Sequence, residues 1–396
     1  MIAVSGSASP SVGPFPVGWY DTLVNGNTSA FLLTSLGANF SLAYWGGITG
    51  PDDIRITNYL DAAQATGLNV VMEIDPARIA SQDVAGIREI VSRFNDHPAV
   101  YGWYTADEPY WVWGIPVHVL QTTYDTIKLD SNKPVFIVFS TPGLERNAGV
   151  EYRNTYDVMM IDDYPFRLTG EPEFTGLDDV PNRVKNYPNN WKAAVQVAAS
   201  QAQLASKPWW SVMEGWSQAV GETDKYRLPT FDEARFMNYW SLRTGAAGLL
   251  HFAYYRVNGG SPAYPDAPYP FDGDQWLLDV WSPLAQEINI LGPALMGETV
   301  LAAVSDNRMD IESDLYYDSE QSDYFLVALN AKGGSENATF TLTLADDILA
   351  VEPMFEDGDR IVVGGDGSFS DLFYDYEVHV YKLVLATIPK NNVKEN

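Results

Sequence analysis

The chain carries two textures of hydrophobic patterning. Through its first three quarters, short unbroken apolar runs recur: "PVGWYDT", "NFSLAYWG", "LNVVMEIDP", "VYGWYTADEP", "KPVFIVFS", "DVMMIDDYPF", "WWSVMEGW" and "GLLHFAYYR". Runs that are continuous rather than alternating suit strands buried on both faces of a parallel sheet. The segments between them, such as "PDDIRITNYLDAAQATG" and "DVAGIREIVSRFNDHP", place apolar residues at helical spacing and stop at Gly or at His-Pro. Eight strand-helix units over about 280 residues predict a (β/α)8 barrel.

From about Leu295 the texture changes to period-two alternation, in "TVLAAVSD", "SDLYYD", "DYFLVALNA", "ATFTLTLA", "DRIVVGG" and "YEVHVYKLV". With Asn-Ala, Asp-Gly and Gly-Gly turns between them, these predict an antiparallel β-sandwich of roughly six to eight short strands. The boundary is expected at "ILGPAL", where Gly292 and Pro293 are expected to break the last barrel helix. The expected organisation is a flexible leader over 1–14, the barrel over 15–293, the sandwich over 294–390 and a tail over 391–396. The clean alternation of "YEVHVYKLV", with no row of aromatics, points to a sandwich that braces the barrel rather than one that binds a ligand. No internal repeat or low-complexity stretch stands out.

Composition narrows the function. The 396 residues are 46% hydrophobic and 19% charged, with Trp 12, Tyr 23 and Phe 17, which describes a globular protein rich in aromatic rings. A formal net charge of -28 repels nucleic acid and anionic membranes and favours a neutral ligand. Cys is absent, which excludes disulfides, thiolate metal sites and Cys nucleophiles. His97, His118, His251 and His379 never approach a metal-ligand spacing, so no metal or other cofactor is expected. Neither a phosphate-cradling Gly loop nor a G-x-S-x-G nucleophile elbow is present. "DGDRIVVGGDGSFSD" is acidic and Gly-rich but lacks the loop-ending Glu of a calcium loop, so it reads as hairpin turns.

No run approaches the roughly 20 apolar residues of a membrane span. "MIAVSGSASPSVGPFP" lacks the charged-then-apolar order of a signal peptide and reads as the leader of a mature or trimmed chain. Secretion is the expectation, with sequons at Asn27, Asn39 and Asn337 as its support.

In a parallel barrel the active site lies at the carboxyl ends of the strands, and here those ends are acidic. Strand one offers Asp21, strand three Glu73 and Asp75, strand four Asp107 and Glu108, strand six Asp162 and Asp163, and strand seven Glu214. A carboxylate closing an apolar run is costly unless it is paired, hydrogen-bonded or used. Strands four and seven lie on roughly opposite sides of a barrel mouth, so Glu108 and Glu214 can face each other across a bound sugar. Retaining glycosidases need such a pair about 5–5.5 Å apart. The acid of the pair needs a raised pKa, which burial among Trp103, Tyr104, Trp111 and a second carboxylate would supply.

In these residues the sequence resembles the clan A glycoside hydrolases, whose acid/base Glu follows strand four and whose nucleophile Glu follows strand seven. The resemblance makes Glu108 of "ADEP" the acid/base and Glu214 of "MEGW" the nucleophile. It offers Tyr164 of "DDYPF" as the Tyr near the nucleophile, and Tyr254 or Tyr255 of "HFAYYR" as the aromatic floor of the sugar site. It departs beside the acid, where clan members carry Asn and this chain has Asp107, which looks like the "DEP" hydrolases. An ionised carboxylate there cannot donate to a sugar hydroxyl.

Each assignment has a structural competitor. Glu108 could cap the following loop, and Glu214 could pair with Arg256 or Arg227. Asp162 and Asp163 are read as orienting Tyr164 or holding substrate hydroxyls, with either one the base of an inverting alternative. Glu73 and Asp75 are read as setting the charge of the site. Trp45, Trp111 and Trp216 are expected in the cleft, because sugars stack on such rings. The reading is a retaining glycosidase cleaving β-linkages in a poly- or oligosaccharide. Its overall acidity argues against anionic glycans, which would have to reach Arg167 or Arg256 through a repulsive field. The alternatives are the inverting enzyme and a non-catalytic carbohydrate-binding protein on the same scaffold.

Overall fold

The computed structural model describes residues 14–25, 27–110, 113–165, 167–169, 191–215, 218–220, 224–226, 228–254, 275–297, 299–300, 304–306, 310–332, 334–344 and 347–386. The expected tail, and all of the expected leader except Pro14, lie outside the described residues. Two compact units divide between Ile290 and Leu291.

All eight apolar runs of the first unit are strands: Val17–Thr22 (β1), Phe40–Tyr44 (β2), Asn69–Glu73 (β3), Val100–Asp107 (β4), Val135–Ser140 (β5), Val158–Asp162 (β6), Trp209–Glu214 (β7) and Leu249–Phe252 (β8). Each pairs in parallel with the next and β8 pairs with β1, closing an eight-stranded barrel. Closure of β1 on β2 depends on Gly18, where a Cβ would fall on the Phe40 carbonyl oxygen. The runs are continuous because both faces are buried. Tyr20, Phe40, Leu42, Val71, Tyr104, Phe136, Val138, Val158, Met160, Trp210, Val212 and Leu250 pack together inside the barrel.

The residues between them, such as Trp19 and Trp103, face the helical layer. Trp103 donates its Nε1–H to Ser131 Oγ at 3.0 Å, beyond the helix Val117–Asp130. The helix Ile54–Thr66 starts on the Asp53 side chain and ends at left-handed Gly67, and Val84–Phe94 starts on Asp83. A small antiparallel sheet of Arg167–Thr169, Gln218–Val220 and Asp224–Tyr226 joins the segments after β6 and β7. No helix among the described residues is long and apolar enough to cross a membrane.

The helix Ser282–Leu295 runs straight through Gly292 and Pro293, contrary to the expected break. Pro293 sits in its last turn, where the missing N–H removes a single bond, and Met296 N–H still reaches the Gly292 carbonyl at 3.0 Å.

The second unit holds two antiparallel sheets around one apolar core that includes Leu315, Leu326, Phe340, Val351, Phe369, Phe373 and Tyr381. One sheet orders Val304–Asp306, Glu336–Leu342 and Ser368–Phe373. The other orders Ile311–Asp318, Asp323–Asn330, Val378–Leu385, Ile348–Met354 and Ile361–Val362. The strands Ile348–Met354 and Ser368–Phe373 were not expected. Pro353 is tolerated because Ile361–Val362 pairs only with Val351 and Ala350, leaving Pro353 a single neighbour, Tyr381. The "VVGGDGS" turn is closed by Gly364 N–H to the Ser368 carbonyl at 2.8 Å and by Asp366 accepting from Ser368. It links strands of different sheets, so it is not the hairpin turn that was expected.

Candidate active site

Alternation along each strand decides which terminal residues face the barrel mouth. Counting from the packed interior positions, the mouth-facing residues are Tyr20 of β1, Tyr44 of β2, Glu73 of β3, Ser140 of β5, Asp162 of β6, Glu214 of β7 and Phe252 of β8. Strand β4 breaks the count. Its pairing with β5 shifts between Tyr104 and Ala106, so Tyr104 lies beside Phe136 and Asp107 beside Val138, both partners being interior. This bulge at Thr105 turns both Tyr104 and Asp107 inward.

Glu108 follows immediately, its N–H bonded to the Val138 carbonyl at 3.1 Å and its φ at 39°. A non-glycine residue in the left-handed region costs roughly 1–2 kcal/mol, which the surrounding pairing must hold in place. That conformation ends the strand and directs the Glu108 carboxyl toward Asp162, close enough that each shifts the other's protonation.

The carboxyl groups here perturb one another. Burial, then the Asp107 charge, raises Glu108 to about 7, against opposing contacts from Ser140 and Asp162. Asp162 is driven well above the usual carboxylate range by burial and by the charges of Glu108, Asp107 and Asp163. Asp107 is raised by burial, opposed by the Tyr44 hydroxyl, which donates to its Oδ2 at 3.2 Å, and by the nearby Tyr104 hydroxyl. Glu73 is raised to about 8 by burial, with Asp107 and Asp75 adding to the effect. Its Oε2 accepts the Trp45 N–H at 2.5 Å.

Across the mouth from β4 and next to β6, Glu214 is fully buried at the end of β7, level with Phe252. Gly215 follows it, its N–H donating to the Phe252 carbonyl at 2.8 Å. A Cβ there would lie 2.7 Å from the Trp19 ring, so a side chain at this position would push the end of β7 away. Aromatic rings line the mouth beneath these carboxyls. Tyr20 meets Tyr44, Tyr104 and Phe252 edge-on, at 5.4, 6.2 and 5.6 Å between centroids. Tyr164 stacks on Phe252 at 5.8 Å, and Asp162, Asp107 and Glu108 all act on its hydroxyl.

Asp107, Glu108, Asp162, Tyr164 and Glu73 thus converge at one mouth, with Glu214 at the end of β7. Other expected site residues lie elsewhere. Asp163 turns away from Asp162, accepting from Thr141 Oγ1 at 2.9 Å. Asp75 caps the helix Pro76–Ala80. Asp21 accepts from Tyr59 and Asn25 beneath the helical layer. The Trp45 ring is buried and serves the site only through its backbone N–H, correcting its expected place in the cleft. Tyr254 is also buried, edge-on to Trp19 at 6.4 Å, and so is no exposed sugar floor. Trp103 does not surround the acid, because the inward position goes to Tyr104. Trp111, Trp216, Tyr255, Arg227 and Arg256 lie outside the described residues, as do the side chain of Arg167 and its surroundings.

Sequence reading missed the mouth-facing Tyr20, Tyr44, Ser140 and Phe252, although counting by twos back from each strand's end would have found them. Among the described residues no group of three or more His, Asp or Glu side chains is arranged to hold a metal ion.

No family model matches the chain, and a search of curated proteins finds no match. Among solved structures, the chain is similar to a noncanonic maltogenic alpha-amylase from Thermotoga neapolitana (TM-score 0.59, 9% identity, 94% of this chain and 99% of that one). It is also similar to a structure described as a glycoside hydrolase (0.62, 13%, 95% and 93%). A third is the β-galactosidase from the psychrophilic Marinomonas ef1 (0.53, 13%, 71% and 61%). At these identities the likeness is one of fold: a parallel eight-stranded barrel followed by antiparallel sheets, shared with glycoside hydrolases.

Proposed function

We propose that the protein is a glycoside hydrolase that cuts β-linkages in a poly- or oligosaccharide with retention of configuration. The observation that carries this reading is a carboxyl of raised pKa, Glu108, after β4, with a second buried carboxyl, Glu214, closing β7 at the same mouth. Glu108, raised to about 7, keeps a substantial protonated fraction at neutral pH and suits a general acid, while Glu214 ends β7 as the candidate nucleophile. Glu108 protonates the leaving oxygen as Glu214 attacks the anomeric carbon. Glu108 then takes a proton from the water that releases the sugar.

The fold neighbours support carbohydrate chemistry and are silent on the anomer, since they include both an alpha-amylase and a β-galactosidase. The inverting alternative with Asp162 as base is disfavoured by how closely its carboxyl lies to that of Glu108. Inversion needs carboxyls about 6.5–9.5 Å apart to admit a water. Asp163 is engaged by Thr141 and is no better placed.

The test is reducing-end release from a panel of α- and β-glycans by wild type, Glu108→Gln and Glu214→Gln, with proton NMR of the first-formed anomer. The expected result is hydrolysis of a β-glycan with retention and a loss of about a hundredfold or more in each variant. Full activity in Glu214→Gln would end the mechanism, and glycan binding by all three proteins without cleavage would make this a carbohydrate-binding protein.

A further inference from the structure

Glu108 and Asp162 stand on strands separated only by β5. Asp162 is level with Ser140, and Glu108 is bonded to Val138 two residues below it, so the two side chains meet over the end of β5. The gap between strands two apart is about 9–10 Å, which a Glu and an Asp span when both lean inward. Two carboxyls cannot touch in a buried site while both are ionised. One of them must hold a proton.

The surroundings identify which. Asp162 Oδ1 is buried and meets no donor among the described residues. An ionised Asp162 would leave a desolvated, uncompensated charge there, whereas a protonated one leaves only an unpaired carbonyl oxygen, at much smaller cost. Among the described residues, the titratable groups acting on Asp162 are acidic: Glu108, Asp107 and Asp163, with the Tyr104 and Tyr164 hydroxyls nearby. Both residues are half-buried, but no Glu108 oxygen is sealed in this way, and Glu108 lies at the mouth, where a leaving group can reach it.

We propose that Asp162 stands protonated beside Glu108 and donates a hydrogen bond to it, acting as a positioning residue for the acid/base and not as a base itself. This rests on the glycosidase reading for its role in turnover, but the proton on Asp162 is a property of the protein alone. In the cleavage step the Glu108 O–H bond breaks and its proton goes to the glycosidic oxygen, which keeps the electron pair of the broken C–O bond. The Asp162 proton stays on Asp162 and strengthens its bond to the new Glu108 carboxylate. Water later returns a proton to Glu108, and Asp162 ends as it began.

Two measurements test this. The first is the pH profile of kcat/KM for wild type, Asp162→Ala and Asp162→Asn. Losing the donor should move the basic limb, set by Glu108, upward by about one pH unit and cost about tenfold in rate. Asparagine restores a neutral donor of the same size, so it should return the limb to its wild-type position and recover part of the rate. A loss in Asp162→Asn as deep as in Glu108→Gln, with the melting temperature unchanged, would make Asp162 a reacting base and overturn the proposal. An unmoved limb in Asp162→Ala would do the same.

The second is the infrared difference between wild type and Asp162→Asn, taken above the basic limb without substrate. The wild type should show a protonated-carboxyl band that the variant lacks. Identical spectra would sink the proposal even if the protein cleaves no glycan, and the band would sustain it even then.

Discussion

Glu73, half-buried at the end of β3, accepts the backbone N–H of Trp45. Its pKa lies near 8 in the folded protein, against 4.5 for an ordinary Glu, so the folded state binds this proton more tightly than the unfolded chain. The stability linked to that proton is full below about pH 4.5 and is lost as pH rises through about 8. His251, buried and held down to about 3, contributes the opposite slope at lower pH, since the unfolded chain protonates first. The two are separated by comparing variants. Glu73→Gln keeps an oxygen for Trp45 but cannot ionise, so its melting temperature should gain on wild type by a few degrees between pH 5 and pH 8. A gap that stays constant with pH would show that Glu73 does not titrate in the folded protein over that range. The carboxylates of this mouth were legible in the sequence because each ends an apolar run. Their roles were less so, since adjacent residues such as Asp162 and Asp163 face opposite ways and only a strand's parity separates them.

At the scale of elements, parity is vulnerable to one inserted residue. All eight barrel strands were legible, because burial on both faces leaves an unbroken apolar signature. The bulge at Thr105 was not, because "YTADE" satisfies either register as text. Without it Ala106 would face the mouth and Asp107 the helices. Pro293 misled for a related reason: the cost of a missing N–H depends on whether a partner carbonyl is waiting, which only the assembled element decides. The same strand end also builds an exposed feature. Trp113 is 66% exposed, yet its N–H is tied to the Glu108 carbonyl at 3.4 Å and Ile115 N–H to the Pro109 carbonyl at 2.8 Å. An exposed indole on a backbone held a few residues from the proposed acid is suited to stack a sugar on the leaving-group side. Covering roughly 60 Å² of its surface is worth about 1.5 kcal/mol at ~25 cal/mol per Å², or about tenfold in affinity. Trp113→Ala should therefore raise KM about tenfold for a long oligosaccharide and leave that for a short aryl glycoside nearly unchanged. An equal rise for both would place the ring's contribution in the fold of the loop instead.

Across the whole molecule, 52 acidic against 24 basic residues give a net charge of -28 and an isoelectric point near 4.3. Glu73, Asp107, Glu108, Asp162 and Glu214 concentrate acidic groups at the same mouth that must admit substrate. Some of that charge is masked by protons at neutral pH, as the raised pKa values of Glu73, Glu108 and Asp162 require. The remainder acts over a distance that salt controls, with a Debye length of about 10 Å at 0.1 M and about 30 Å at 0.01 M. A neutral glycan feels no net force from this field, whereas a uronate-bearing or sulfated one must climb it. The expected outcome is a KM that is flat with ionic strength for a neutral oligosaccharide and falls severalfold between about 0.01 and 0.15 M salt for its uronate counterpart. Initial rates on matched neutral and anionic substrates across that range check it. A flat KM for the anionic substrate would mean that a local cationic contact at the mouth outweighs the charge of the chain as a whole.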